Sequence, residues 1–267
     1  MGDQYYAGKW VLVTGAGIPG RIGAAIAEHL AERGANIYLH DITSSPGLDA
    51  VATTIRAHGT EVRVITGDLT KHEVVAWLFE DSTPDIVINN AGIFRAVPTT
   101  EDMSLADYMA AHATTLDLNV AVNMKSAYLV TLAAVHSMRH LNKEGVIVFE
   151  GDAFIERSGS YPQNLAAYTA SKAYIPSVVH QFAEQYGRDG IRFLGVLNGT
   201  IEPPATAPEE TILHMQREIP LPARLLNPWL GAKSVAEAID NLIRIQTVNG
   251  TTLTVDGGRT WTTKAEF

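Results

Sequence analysis

The sequence contains no cysteine, and this absence excludes several kinds of chemistry. A chain of 267 residues without cysteine cannot form disulfides, bind zinc through thiolates or use a thiolate as a nucleophile. Its nine histidines show no His-x-x-x-His pair or other metal-binding spacing. We therefore expect no metal site.

Basic charge is also scarce. Lysine and arginine together number 20 against 29 acidic residues, which gives a net charge of −9. A nucleic-acid surface needs a basic patch, and no basic cluster stands out along the chain. We expect no nucleic-acid partner.

Targeting and linker signals are missing as well. The first residues lack a basic region followed by an apolar run, so no secretion signal is expected, and no apolar stretch is expected to be long enough to cross a bilayer. With 46% hydrophobic and 18% charged residues, the composition is typical of a soluble globular protein. We predict a cytoplasmic chain without membrane contact, forming one domain over residues 1–267.

Apolar β-branched runs alternate with segments of helical period along the chain. This alternation predicts an α/β fold whose parallel sheet is covered by helices on both faces. The strands are predicted at 9–14, 36–40, 61–65, 85–89, 145–150, 191–197 and 251–255. The helices are predicted at 22–33, 46–58, 72–79, 104–141 with one break, 164–186 and 235–245. The proline-rich region at about 200–230 is predicted to be a substrate loop beyond the strand ends.

A glycine-rich turn joins the first strand to the first helix, from Thr14 through Gly15 and Gly17 to Arg21, Ile22 and Gly23. Glycines in this place let the backbone turn tightly and approach a pyrophosphate, which the helix N-terminus stabilises. An ordinary strand-to-helix turn is the alternative, but the position in the first βα unit favours a dinucleotide site.

Residues after the next strands fit the same site. Asp41 ends the second strand, where a carboxylate accepts hydrogen bonds from ribose hydroxyls and repels a 2′-phosphate, so NAD(H) is favoured over NADP(H). Arg21 favours NADP(H) instead, because its guanidinium could pair with the 2′-phosphate. Asp68 and Leu69 are predicted at the adenine edge, and Asn90, Ala91 and Gly92 along the ribose.

Tyr168 stands four residues before Lys172. At helical spacing these side chains share one face, and an ammonium beside a phenol lowers the phenol's pKa. The pair is then predicted to move protons near neutral pH.

In order and spacing, these motifs resemble the short-chain dehydrogenase/reductase superfamily over nearly the whole chain. The matching pieces are the turn from Thr14 to Gly23, Asn89-Asn90-Ala91-Gly92, Asn123, Tyr168-x-x-x-Lys172 and Val255-Asp256-Gly257-Gly258. The resemblance implies a Rossmann-type, doubly wound sheet of about seven strands in three layers. It also implies hydride transfer between a nicotinamide and a small-molecule carbonyl or alcohol, in a homodimer or homotetramer.

The resemblance also implies roles for residues. Tyr168 would be the acid/base, Lys172 would lower its pKa and hold the nicotinamide ribose, and Asn123 would order a water. Gly199 and Ile201, after the sixth strand, would complete the cofactor site. The family's carbonyl-polarising serine has no clean match: Asp152 or Gly151 takes its place, and Ser158 and Ser160 lie nearby.

Some departures resemble the pteridine reductase and dihydromonapterin reductase branch. They are Arg21 in the glycine turn, Asp152 in place of serine, and Phe94 after the Asn-Ala-Gly turn. In that branch the aspartate contacts the pterin and the aromatic ring stacks on it, so a pterin reductase is an alternative prediction. A nucleotide-sensing protein without chemistry is a further alternative, although such proteins typically lose the tyrosine or the lysine.

Overall fold

The computed structural model describes residues 5–98, 102–156, 164–199, 231–258 and residue 260. Within them lies a parallel seven-stranded sheet of order β3-β2-β1-β4-β5-β6-β7. The strands are β1 (Trp10–Val13), β2 (Asn36–Asp41), β3 (Val62–Thr66), β4 (Ile86–Asn89), β5 (Gly145–Asp152), β6 (Ile191–Asn198) and β7 (Thr251–Val255). This confirms the predicted Rossmann-type fold.

Helices cover both faces of the sheet. One face carries α1 (Ile22–Glu32), α2 (Pro46–Ala57) and α8 (Ala232–Arg244). The other carries α3 (His72–Glu80), α5 (Ser126–His140) and α7 (Ile175–Tyr186). Strand β1 serves both cores, since Val11 and Val13 pack on the first and Leu12 on the second. A strand buried on both faces has this continuous apolar sequence because successive side chains point to opposite sides.

The predicted helix 104–141 is interrupted as expected. Helix α4 (Leu105–Asn119) passes through a π-helical turn, Val120–Lys125, into α5. Such turns within α-helices occur frequently at functional sites, and this one contains Asn123.

By length and composition alone, the helical stretch Leu105–His140 could cross a membrane, so the expectation that no stretch is long enough is wrong by that measure. This is weak evidence for a membrane span, because the core helix of a soluble protein passes the same test. Val130, Ala134 and Met138 of this stretch are buried in the core beside the sheet.

The prediction of one continuous helix over residues 164–186 is wrong. This segment is divided into α6 (Ala166–Lys172) and α7, with Tyr174 as the N-cap of α7 and Pro176 in its first turn. A proline lacks the backbone N–H and its ring clashes with the carbonyl four residues earlier, which here belongs to Lys172. Four strands also end later than predicted: β2 at Asp41, β3 at Thr66, β5 at Asp152 and β6 at Asn198.

Candidate active site

The site lies where the strand order reverses, between β1 and β4. The loops that follow these two strands are joined by hydrogen bonds. The Thr14 hydroxyl accepts from the backbone N–H groups of Asn90 (3.1 Å) and Ala91 (3.0 Å), and the Asn90 amide donates to the carbonyls of Thr14 and Gly15, both at 2.9 Å. In an open α/β sheet, ligands bind in the crevice at this reversal.

Glycine is required where these loops approach each other. Gly15 has φ +65°, and a Cβ added there would lie 2.6 Å from the Cα of Ala91. A Cβ at Gly17 would lie 2.5 Å from Asp41 Oδ2, and one at Gly92 would lie 3.3 Å from Lys172 Nζ. The backbone therefore forms a tight cradle in which an added side chain at Gly15 or Gly17 would collide with its neighbours, and such a close-packed glycine turn fits a pyrophosphate-bearing cofactor.

Asp41 is held at the end of β2 by two backbone donors. Its carboxylate accepts from the N–H of Gly17 and from the N–H of Ile42, each at 2.7 Å. The sequence predicted a ribose acceptor at this residue, and the structure places its carboxylate beside the glycine turn.

A cavity of about 630 Å³ runs along this edge. Twelve of the predicted site residues line it: Gly15, Arg21, Ile22, Asp41, Asp68, Leu69, Asn90, Ala91, Gly92, Phe94, Tyr168 and Lys172. The predicted adenine-side and ribose-side residues thus share one continuous space with Tyr168 and Lys172. Five predicted residues that the structure describes do not line this cavity: Thr14, Gly17, Asn123, Asp152 and Gly199.

Two predictions concern the region after β6. Gly199 is not part of the cavity wall formed by the described residues, and its N–H donates to the carbonyl of Val255 at 2.8 Å. Ile201 and the substrate loop at 200–230 lie outside the described residues, as do Ser158 and Ser160.

Tyr168 and Lys172 lie on α6, both buried and both facing the cavity. The Tyr168 hydroxyl donates to Asp152 Oδ2 at 2.8 Å. The pKa of Tyr168 is raised, mainly by burial and then by the negative charges of Asp152 and Glu150. The direction of this shift is opposite to the predicted lowering by Lys172, because burial and the two carboxylates both disfavour the phenolate.

Asp152 occupies the place at the end of β5 where the sequence suggested a substitute for serine. It lies beside the Tyr168 hydroxyl, whereas the predicted alternative Gly151 has no side chain and packs near Leu197 and Ile175. An ionised carboxylate only accepts hydrogen bonds. Asp152 in that form suits a substrate group that donates a hydrogen bond better than it suits a carbonyl oxygen.

The Lys172 ammonium is directed to Glu150. Lys172 Nζ lies 3.4 Å from Glu150 Oε2 and 3.2 Å from the Glu150 backbone oxygen. Burial raises the pKa of Glu150 to about 7, with Lys172 acting in the opposite direction. Sequence reasoning missed Glu150 as a site residue. Its signal was a carboxylate inside an otherwise apolar buried strand, two residues before Asp152 at the strand end.

Asn123 fixes the segment that carries Phe94. Its side chain accepts from the Ile93 N–H at 2.7 Å and donates to the Ile93 carbonyl at 3.0 Å and to the Ser171 hydroxyl at 2.8 Å. Its backbone carbonyl accepts from the Tyr174 hydroxyl at 3.2 Å. These bonds make Asn123 a buried connection between the π-helical turn, the β4 loop and α6.

Phe94 is 59% exposed and its ring lies edge-on to Tyr168, with centroids 4.7 Å apart. Phe94 is therefore not an ordinary core residue. An exposed ring at the cavity wall offers a face for stacking a planar substrate.

The family model described as "Enoyl-(Acyl carrier protein) reductase" matches residues 15–260. Among curated proteins, the chain is similar to cis-4-hydroxycyclohexanecarboxylate dehydrogenase of Sinomonas cyclohexanicum. The two are 30% identical over 273 residues, which cover 97% of this chain and 99% of the relative.

Solved structures share the fold at lower identity. Carveol dehydrogenase from Mycobacterium avium, in complex with NAD, superposes with a TM-score of 0.80 at 20% identity, covering 96% of this chain and 99% of its own. A protein provisionally described as 2-deoxy-D-gluconate 3-dehydrogenase, from Agrobacterium tumefaciens with bound NADP, gives a TM-score of 0.79 at 24% identity, covering 96% and 98%. At these identities the likeness concerns the fold alone.

Proposed function

This chain belongs to the short-chain dehydrogenase/reductase superfamily, and on that premise we propose that it transfers a hydride between a nicotinamide cofactor and a small carbonyl or alcohol substrate. The observation that carries the proposal is that the glycine turn, Asp41, Tyr168 and Lys172 line the same cavity. When bound, the cofactor would supply the hydride donor or acceptor.

Each part of the cavity has a role in this proposal. The Gly15 turn and the N-terminus of α1 receive the pyrophosphate, Asp41 accepts from the adenosine ribose, and Lys172 donates to the nicotinamide ribose. Tyr168 gives a proton to the substrate oxygen in reduction and accepts one in oxidation. Asn123 holds Ile93 and Ser171 in place and thereby supports the walls around Tyr168.

We propose NAD(H) as the preferred cofactor. The support is Asp41, whose carboxylate lies at the end of β2 and would repel a 2′-phosphate. Arg21 also lines the cavity, so the preference depends on which side chain is nearer the adenosine ribose. Titration of the protein with NAD, NADH, NADP and NADPH tests this, and tighter binding of the phosphorylated forms would contradict it.

Measuring substrate turnover tests the proposed hydride transfer. Alcohols and ketones should be screened by following the absorbance of the reduced cofactor. Tyr168→Phe should lose most turnover and keep cofactor affinity, because it removes only the hydroxyl. Tyr186→Phe is the matched control, since Tyr186 packs against Phe182 and Phe193 away from the cavity. Cofactor binding with no turnover on any substrate class would favour the nucleotide-sensing alternative.

A second candidate, a pterin reductase, is favoured by Asp152 and Phe94. The carboxylate beside Tyr168 accepts from ring N–H donors, and the exposed Phe94 ring suits stacking on a planar heterocycle. Asp152→Asn and Phe94→Leu should each reduce dihydropterin turnover more than turnover of a simple ketone. No activity on any dihydropterin or quinonoid pterin would refute this candidate.

We also propose that the protein is a cytoplasmic homodimer or homotetramer. The support is a set of exposed apolar side chains along α4 and α5: Leu105, Tyr108, Met109, Leu116, Leu118 and Tyr128. Apolar surface of this kind is typical of subunit interfaces. Light scattering coupled to gel filtration measures the assembly, and a monomer at micromolar concentration would contradict the proposal.

A further inference from the structure

Glu150 and Lys172 form an ion pair in the wall of the cavity, and neither residue is more than 8% exposed. Residues 146, 148, 150 and 152 share one side of β5 because strand side chains alternate. Val146 and Val148 pack in the apolar core on that side, whereas Glu150 is a carboxyl group in the same row. A buried carboxylate needs a partner of opposite charge, and Lys172 provides it.

The proposed function gives Lys172 a second partner. The ammonium has three donors, and here it contacts both the carboxylate and the backbone oxygen of Glu150. A nicotinamide ribose bound at Lys172 would draw the ammonium from the carboxylate, and the cofactor would displace water from the cavity. Both changes favour the neutral form of the carboxyl group.

Resting on that proposed function, we propose that Glu150 is a positioning residue that exchanges its lysine partner for a proton when a reduced nicotinamide cofactor binds. The oxidised nicotinamide ring is a cation and the reduced ring is neutral. A nearby cation favours the carboxylate form of Glu150. Binding of the oxidised cofactor is therefore accompanied by less proton uptake than binding of the reduced cofactor. The charge of Glu150 thereby follows the redox state of the cofactor.

The charged and titratable groups around Glu150 are few among the described residues. Lys172 and Tyr168 face it from α6, Asp152 from the same strand, and Tyr174 from the turn before α7. Asp152 raises the pKa of Glu150 and Lys172 lowers it. Because this pKa is about 7, Glu150 is mostly ionised at pH 8 and able to take up a proton.

The sign of the pH dependence follows from linkage. Binding that raises the pKa of Glu150 is accompanied by proton uptake, so affinity for NADH is highest below pH 7 and falls above it, by at most about tenfold per pH unit. His40 also lines the cavity, with a pKa lowered by burial. Any proton uptake by His40 on NADH binding persists when Glu150 is replaced. The Glu150 variant therefore separates the protons taken up by His40 from those taken up by Glu150.

The test is calorimetric titration of NADH and NAD at pH 8 in two buffers of different ionisation enthalpy, which counts protons without requiring turnover. We expect the wild-type protein to take up close to one proton with NADH and clearly fewer with NAD. Glu150→Gln should abolish this difference and flatten the pH dependence of the NADH dissociation constant. Glu144→Gln, just before β5 and exposed, should behave as the wild type.

The wild-type measurement keeps the proposal testable even if Glu150→Gln does not fold. Equal proton counts for NADH and NAD, or no uptake with NADH, would overturn this inference and leave the proposed oxidoreductase intact. Uptake that persists in a folded Glu150→Gln protein would also overturn it. Failure of all four nicotinamide cofactors to bind the wild type would refute the proposed function, and this inference with it.

Discussion

Replacing Gly15 by alanine tests the close approach of the two cofactor loops. Gly15 has φ +65°, and the added Cβ would lie 2.6 Å from the Cα of Ala91. The nearest atom belongs to backbone, so relief requires the β4 loop to move. A left-handed conformation costs a residue with a Cβ about 1–2 kcal/mol, and forcing an extra carbon into a packed region costs about 1–3 kcal/mol more.

Gly20→Ala is the matched control. Gly20 lies in the same turn with φ +72°, and nothing lies within 4 Å of its added Cβ. Gly20→Ala therefore has the cost of a left-handed backbone conformation but no collision of the added Cβ with a neighbouring residue. Both variants also share the roughly 0.4–1 kcal/mol effect of alanine on the unfolded chain. The free energy of unfolding should be lower for Gly15→Ala than for Gly20→Ala by about 1–3 kcal/mol.

Urea unfolding followed by tryptophan fluorescence measures both variants. Typical stabilities of about 5–15 kcal/mol leave Gly15→Ala folded at low urea, so its NADH affinity can also be measured. We expect weaker binding, because Ala91 is part of the cavity wall. Equal stabilities of the two variants, together with unchanged NADH affinity, would refute the account of the cradle.

Asp41→Asn removes the charge that repels a 2′-phosphate, so the ratio of NADPH to NADH affinity should rise; an unchanged ratio would show that Asp41 does not set the preference. Tyr6→Phe removes the hydroxyl that donates to the buried Asp240 carboxylate at 2.7 Å, and urea unfolding should show a loss of about 1–3 kcal/mol. The Glu150 pKa of about 7 lies above its ordinary value of 4.5, so the stability from this group is full below pH 4.5 and is lost as pH rises through 7. Glu150→Gln should lack that loss, whereas parallel pH–stability curves for variant and wild type would contradict it.

The period and order of the apolar runs were enough to predict the fold. Buried strands such as Trp10–Val13 are short β-branched or aliphatic runs, and glycine-rich turns mark where they end. The helix break after Lys172 was missed although Pro176 was visible. The tyrosine–lysine spacing favoured the prediction of one long helix. Pro176 prevents this, because it has no backbone N–H to donate to the carbonyl of Lys172.

The sequence by itself determined the sheet, the glycine cradle and the residues at the strand ends, because these depend on local periodicity and on the backbone freedom of glycine. Only the tertiary structure decided how the site is charged. Lys172 contacts Glu150 and the Tyr168 hydroxyl donates to Asp152, and these pairs depend on where the end of β5 lies beside α6. Spacing along one helix could not show this, since the pKa of a buried group depends on neighbours from other elements and on the water that folding removes.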